Sequence, residues 1–430
     1  MSLLQLMRNW RLSPDALRAL QERKLRAVVR QAHDNVPYYR SLFRQTGLHP
    51  DDIGGLEDLQ RIPVTFKDEL RAAGVANAVA SGTNLAACQI ARTSGTTGEP
   101  FLAYTSSDEA RLLRQLEVRG MLLIGRRPWD RTVVLANANP AHRPWHQHLG
   151  ISRTDVLTSH LSVAEQAERL RELRPDVLWA YPARLTAVLH RVGYRLSRLA
   201  HPGLLITSGE ALDPWVRERL LADGGPELFN WYGCMEVGRI AFECPAHQGL
   251  HVNADHVIVE CLKEGRAVPS GEVGSVVITS LDAFTMPFLR YSLGDEARLL
   301  PQPCSCGSAF PLLQLMRGRS FDMVVLPSGN LLAPMALPTR LLSLDWVQQF
   351  RIVQESRDHL SVQLATRRPL SAGAVEDARL LCQQVLKEAM QVDIEIVTAF
   401  SDSMAGLNSF VSMLGDWHEV AKAAAQEGNA

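Results

Sequence analysis

Between residues 107 and 231 the chain alternates helix-period segments with short apolar-rich runs, and this rhythm constrains its fold most. Runs at 133–136, 177–181, 203–208 and 227–231 read as buried strands. Helical segments at 107–122, 163–173, 182–199 and 214–222 separate them, with Ser162 as N-cap of the second. Strands joined by helices pair in parallel, so the pattern predicts an α/β domain with a helix-covered sheet. Upstream, Leu17, Leu20, Leu25, Val28 and Val29 carry helical spacing. That helix should stop near Asn35-Val36-Pro37, because proline drives its predecessor out of the helical region. A second helix follows from Tyr38. A turn at Pro63 leads into a further helix that starts at Lys67-Asp68-Glu69.

The pattern changes at residue 249. Short strand-like segments at 256–262, 274–281 and 296–300 are separated by turn signals at Gly265 and Pro269-Ser270-Gly271. They predict a small antiparallel β subdomain at about 249–318, within an N-terminal domain of residues 1–318. Residues 319–430 read as a small α+β C-terminal domain, with strands at 347–355, 360–365 and 393–397 and a helix at 372–390. Residues 421–430 are expected to fray.

The segment Thr93-Ser94-Gly95-Thr96-Thr97-Gly98-Glu99-Pro100 has the composition of a phosphate cradle. Glycines let the backbone approach a ligand closely. Successive N–H groups then form an anion nest, to which hydroxyls add donors. A helix expected directly after the loop would add its positive end. The GxxxxGK[ST] pattern is absent, so this is not a P-loop. Three further segments follow in order: Ser208-Gly209-Glu210 and Asn230-Trp231-Tyr232-Gly233-Cys234-Met235-Glu236, each at a strand end, then Arg290-Tyr291-Ser292-Leu293-Gly294-Asp295. Gly318-Arg319 comes after them. Singly, each has a plain structural reading: Asp295 as a turn cap, Tyr232 as core, Glu236 as a solvated carboxylate.

Together and in order, these segments resemble the core motifs of the acyl-adenylate-forming superfamily, which holds acyl-CoA synthetases, luciferases and the adenylation domains of peptide synthetases. The branch most resembled is the phenylacetate-CoA ligase group, through Asn35-Val36-Pro37-Tyr38-Tyr39, Gly249-Leu250-His251, Asp255-His256 and Val259-Glu260. The resemblance spans nearly the whole chain and is weakest over the last 110 residues. It implies that Ser94, Gly95, Thr96, Thr97 and Gly98 hold phosphate and that Ser208, Gly209 and Glu210 meet the adenine. Tyr232 would stack on that base, flanked by Trp231, Gly233 and Met235. Glu236 would hold Mg²⁺, since a hard cation needs oxygen ligands. Asp295 suits a ribose diol, whose hydroxyls it can accept. Arg319 would reach ribose or phosphate. Catalysis would fall to Thr97, Glu236 and Arg319, with Ala136, Tyr181, Ala211, Gly233 and Cys234 around the acid. The His-rich stretch 141–148 reads as either a pocket wall or a solvated loop. The implied C-terminal domain is mobile.

Cys304-Ser305-Cys306 is a tight turn, and Cys244, His247, His251 and His256 lie upstream. Three thiolates and one imidazole make a closed tetrahedral site of the structural Zn²⁺ type. Cys244, His251, Cys304 and Cys306 are the expected ligands, with His247 as the alternative nitrogen. A subset of the phenylacetate-CoA ligase group is similar here.

Three departures bear on chemistry. The family's mobile domain brings a lysine to the reacting phosphate and carboxylate, and Leu407 stands at that place, with Lys387 and Lys422 the nearest lysines. Phe321, followed by Asp322, occupies the hinge position where an acidic residue is usual. Met235 replaces the usual hydroxyl before Glu236. The implied function is ATP-dependent activation of a carboxylic acid, of aromatic type, as an acyl-adenylate. Transfer would go to CoA or to a small amine or hydroxyl nucleophile. A CoA-independent amide or ester synthetase is the first alternative, and a nucleotide- or acyl-binding homologue without turnover is the second.

Bulk properties exclude other classes. A net charge of −1 gives no footprint for nucleic acid or an anionic membrane. No apolar run of about 18 residues reads as a spanning helix. Seven cysteines, an odd number, without a signal-like N-terminus point to a reducing cytoplasm. A homodimer stays open.

Overall fold

In the computed structural model the described residues are 1–93, 101–135, 145–158, 161, 163–190, 192, 195–209, 212, 214–222, 224–317, 324–328, 331–332, 336–341, 344, 346–347, 349–366, 370, 373–386, 388–397 and 409–412. They divide into two units, residues 1–126 with 229–317, and residues 127–228 with 318–430.

The first unit begins with helices whose boundaries follow from local chemistry. Ser13 Oγ accepts from Ala16 N at 3.3 Å, and Pro14 takes the first helical position of Pro14–Asn35. Pro37 holds Val36 extended (φ −110°, ψ 112°) and itself opens the next helix, Pro37–Thr46, one residue before the expected Tyr38.

A strand, Phe101–Thr105, follows the phosphate-type loop and pairs antiparallel with Gln89–Thr93. The expected helix, Ser107–Leu123, starts only after it. Its first turn is closed by its own capping box, Ser106 N donating to Glu109 Oε2 at 2.7 Å and Glu109 N to Ser106 Oγ at 3.4 Å. The loop therefore joins two strands, and the expectation that a helix end directly supports it is corrected. A five-residue strand was hidden inside what read as the approach to a helix.

The rest of this unit is an antiparallel sheet. Its order is Arg266–Ala267, Val257–Lys263, Gly274–Ser280, Tyr291–Leu299, Leu312–Arg317, Leu250–Val252, Gly238–Glu243 and then Glu227–Cys234, which contributes from Phe229 onward. Antiparallel pairing thus begins at Trp231↔Phe242, ahead of residue 249. Inward residues such as Val257, Val276, Ile278, Phe288 and Tyr291 build one core. Tyr39, Phe43 and Leu289 build a second beneath the helices. The Arg119 guanidinium is fully buried and forks onto Asp255 at 2.7 and 2.9 Å and onto Asn253 Oδ1 at 2.7 Å. Asn9 Nδ2 adds a bond to Asp255 at 2.9 Å, so the helix Leu3–Asn9 and the segment 253–255 share one buried polar knot.

In the second unit the strands Thr154–Leu157, Thr132–Leu135, Val177–Ala180 and Leu204–Ser208 lie side by side and all parallel. Helices Val163–Leu173, Pro182–His190 and Pro214–Ala222 supply Leu170, Leu185, Leu189, Val216 and Leu220 to their core. The helix read as 182–199 ends at His190, and Leu196–Arg198 is a separate 3₁₀ turn. Later in the chain, a four-stranded sheet runs Gln391–Val397, His359–Ala365, Gln349–Ser356, Ser409–Ser412. Ala378, Cys382 and Leu386 of the helix Ala374–Leu386 pack against it. The chain is thus mixed α/β, with a parallel sheet, an antiparallel sheet and a small α+β segment.

Candidate active site

Glu236 lies in the turn between Glu227–Cys234 and Gly238–Glu243. That hairpin shifts register at Tyr232/Gly233. Only glycine fits position 233, because a Cβ there would sit 2.3 Å from the Gly238 carbonyl oxygen. His256 braces the turn, its Nε2 lying 3.2 Å from Val237 O and its Nδ1 3.1 Å from Asp282. Lys24 holds Asp282 in turn, at 2.8 Å.

Glu236 is buried, its side chain 3% exposed. Lys67 Nζ stands 2.9 Å from its Oε1, and the Tyr291 hydroxyl donates to the same oxygen at 3.1 Å. Burial opposes the charged form, but the ammonium and these hydrogen bonds outweigh it, so the carboxyl titrates below its ordinary range. Burial and the Glu236 charge push the Tyr291 hydroxyl far up, which keeps it a donor. Four residues before Glu236, the Tyr232 hydroxyl donates to Asp295 Oδ2 at 2.6 Å. Asp295 sits within the strand Tyr291–Leu299 and not at its end. Two segments expected to face a nucleotide therefore meet, and between them stand two carboxylates, two phenols and one ammonium. Trp231 differs: at 2% exposure it packs on Gly120 and Phe242, so its ring belongs to the core. Met235 is 55% exposed.

In the parallel sheet, Ser208 and Ala180 end neighbouring strands, the edge at which open α/β sheets bind ligands. Trp179 Nε1 donates to Ser208 Oγ at 2.8 Å. Gly209 has φ +86°, and a Cβ there would lie 2.4 Å from the Tyr181 ring. Glycine thus lets Tyr181 lie flush against the 208–209 turn. Ser94, Gly95, Thr96, Thr97, Gly98, Glu99, Ala136, Glu210, Ala211, Arg319, Phe321, Asp322 and Leu407 lie outside the described residues.

Cys244, His251, Cys304 and Cys306 bring four ligand atoms within 4.8 Å of one another. Cys244 Sγ lies 3.6 Å from Cys304 Sγ, and Cys306 Sγ lies 3.3 Å from His251 Nε2. The other His251 nitrogen, Nδ1, lies 3.0 Å from Phe310 O, which leaves Nε2 facing the thiols. The pairing Leu312↔His251 sets this register. His247, the alternative, instead stacks on Phe229 at 5.0 Å with its Nδ1 3.4 Å from Glu243. Burial, then the neighbouring thiols, push Cys244 up to about 12.

No family model matches the chain. It is 28% identical over 334 residues to a phenylacetate-coenzyme A ligase of Thermus thermophilus, covering 74% of this chain and 73% of that protein. A phenylacetate-coenzyme A ligase of Escherichia coli is 26% identical over 390 residues, covering 87% and 88%. A solved 2-hydroxyisobutyryl-CoA ligase in its postadenylation state superposes at TM-score 0.69 with 20% identity, over 98% of this chain and 94% of that one. The chain is similar in sequence to phenylacetate-coenzyme A ligases and shares the fold of a solved acyl-CoA ligase. The structural likeness, at that identity, shows a shared fold, and the likeness to the curated relatives is one of sequence.

Two parts of the candidate site escaped the sequence. Lys67 read only as the charged start of a helix, and its partner Glu236 is far away in the chain. Arg290 stood in a motif without a role. Its guanidinium, 2% exposed as a residue, grips Glu260 at 3.0 Å and donates to Gln60 O at 3.1 Å and Ile62 O at 2.7 Å. It ties the segment leading to Lys67 onto the strand that carries Tyr291 and Asp295. The available signal was scarcity: the chain has five lysines among 45 basic residues.

Proposed function

We propose that the chain is an ATP-dependent carboxylate-activating ligase acting on an aromatic acid. The observation that carries this reading is the joining of Tyr232 to Asp295 and of Glu236 to Tyr291, which unites two nucleotide-type motifs in one wall. The curated relatives, named as CoA ligases, support it. A substrate carboxylate oxygen attacks the α-phosphorus of ATP in line, the bond to the β-phosphate oxygen breaks, and pyrophosphate leaves. A nucleophile then adds to the acyl carbon, loses its proton and displaces AMP. Such steps ask the protein for positioning and charge neutralisation. In this reading Asp295 accepts the ribose hydroxyls and Tyr232 orients Asp295.

Glu236 fits a hard cation, being a buried carboxylate held in its charged form. Mg²⁺ bound there would neutralise phosphate charge. The Cys244, His251, Cys304 and Cys306 set fits Zn²⁺. With Zn–S bonds of about 2.3 Å, a tetrahedral edge is about 3.8 Å, and the thiol pair stands at 3.6 Å. Four protein ligands leave no open position, so this ion would be structural.

The acceptor is CoA by likeness to the named relatives. Leu407, where a lysine is usual, and Phe321 at the hinge favour a second reading, a small amine or hydroxyl acceptor that needs no domain rotation. Acid-dependent ATP–pyrophosphate exchange tests activation, and product analysis with CoA or hydroxylamine tests the acceptor. Silence with every acid of a broad aryl panel would sink the enzyme reading.

A further inference from the structure

Adenylation builds negative charge on the α-phosphate and on the incoming carboxylate, and a fixed cation there is worth a large share of the rate. The position at which the family's mobile domain supplies it is Leu407 in this chain. Of the five lysines, Lys387 and Lys422 lie outside the described residues, and Lys24 is committed to Asp282 at 2.8 Å and to the Asp255 carbonyl at 2.6 Å. Lys263 is at an exposed strand end.

Lys67 is placed differently. Its Nζ touches Glu236 at 2.9 Å and lies 5.9 Å from the centre of the Phe101 ring. Phe101 opens the strand that immediately follows the phosphate-type loop. The Lys67 side chain is 27% exposed, so the ammonium is held but reachable. The segment before it is anchored to the motif strand by backbone bonds from Thr65 N to Arg290 O and from Ser292 N to Thr65 O, both 2.9 Å. Thr65 Oγ1 adds a bond to Leu289 O at 2.8 Å. Arg290, with φ +44°, holds the carbonyls of residues 60 and 62. A residue tolerates the left-handed region only where its surroundings over-determine it, and here they do. The result is one ammonium on a braced backbone, beside the carboxylate proposed to take the nucleotide's cation.

We infer that Lys67 is the cation that meets the reacting phosphate and carboxylate, replacing from the N-terminal side the lysine absent at residue 407. This rests on the carboxylate-activating reading. A divalent cation and the ammonium compete for the same Glu236 oxygens, so metal-bound ATP frees Lys67 for the phosphate. The lysine then acts without any swing of residues 319–430. Adenylation and domain movement become separable in this chain.

The test uses the full-length protein with Lys67→Gln, which keeps a donor toward Glu236, and Lys67→Arg, which keeps the charge. Calorimetric binding of adenosine and of ATP with magnesium is measured beside acid-dependent exchange. Lys67→Gln should leave adenosine affinity near wild type, lower exchange turnover about 100- to 1,000-fold, and narrow the preference for ATP over adenosine about tenfold. Lys67→Arg, which keeps the charge on a differently shaped head group, should retain more turnover than Lys67→Gln. Unchanged turnover with unchanged ATP preference overturns the role of Lys67. A parallel loss of adenosine binding makes the residue structural and also overturns it. Wild-type protein that exchanges with no acid sinks the activation reading alone, because the Lys67-dependent ATP preference still decides the inference.

Discussion

Glu236→Gln is the substitution that interrogates the wall most sharply. It keeps the shape of the side chain and an acceptor for both Lys67 and Tyr291, and it removes only the charge. Hydrogen bonds to a charged group are worth about 1.5–3 kcal/mol and neutral ones about 0.5–1.5. The two contacts, at 2.9 and 3.1 Å, therefore weaken but persist. Lys67 is 27% exposed and recovers part of its solvation, so the net loss of stability is about 1–2 kcal/mol. The sign of its pH dependence follows from the depressed carboxyl. The stabilisation is complete above the unfolded value, near pH 4.5, and vanishes as pH falls through the folded value below it. The gap between wild type and variant, read by urea unfolding with tryptophan fluorescence, should thus be full at pH 7 and shrink as pH falls below about 4.5. Exchange turnover should fall about 100-fold or more, as for other preorganised charges. A stability gap that persists undiminished into acid, or turnover within twofold of wild type, would refute this account of Glu236.

Tyr232→Phe removes the 2.6 Å bond to Asp295 and should raise the KM for ATP about tenfold, the equivalent of ~1.4 kcal/mol, while kcat stays within about twofold; steady-state kinetics check this split. Purified protein should carry about one zinc per chain, the count implied by one closed four-ligand site, and Cys306→Ser should lower that content by elemental analysis and reduce the thermal midpoint. Arg119→Met strands the fully buried Asp255 carboxylate and should cost about 3–5 kcal/mol in denaturant unfolding, with KM unchanged in the folded fraction.

The parallel strands were legible because a doubly buried strand leaves an apolar run bounded by helix-period text, as at 177–180 and 204–208. The hairpin partner Phe101–Thr105 was not, since five residues abutting a helix carry too short a period to be told from its approach. The helix at 182–190 was overextended because Leu196 and Leu199 continue to be buried after it ends. At the site, the motif residues could be named one by one, but contacts such as Lys67–Glu236 and Arg290–Glu260 join segments with no shared local pattern. The choice between His247 and His251 had the same character. It depends on a strand register, Leu312↔His251, that a cysteine–histidine spacing does not encode.

The most direct test of carboxylate activation is incorporation of labelled pyrophosphate into ATP by the full-length protein, with magnesium and a panel of aryl acids. Exchange should depend on at least one acid and saturate with it. Protein that binds ATP yet incorporates no label with any acid would contradict carboxylate activation.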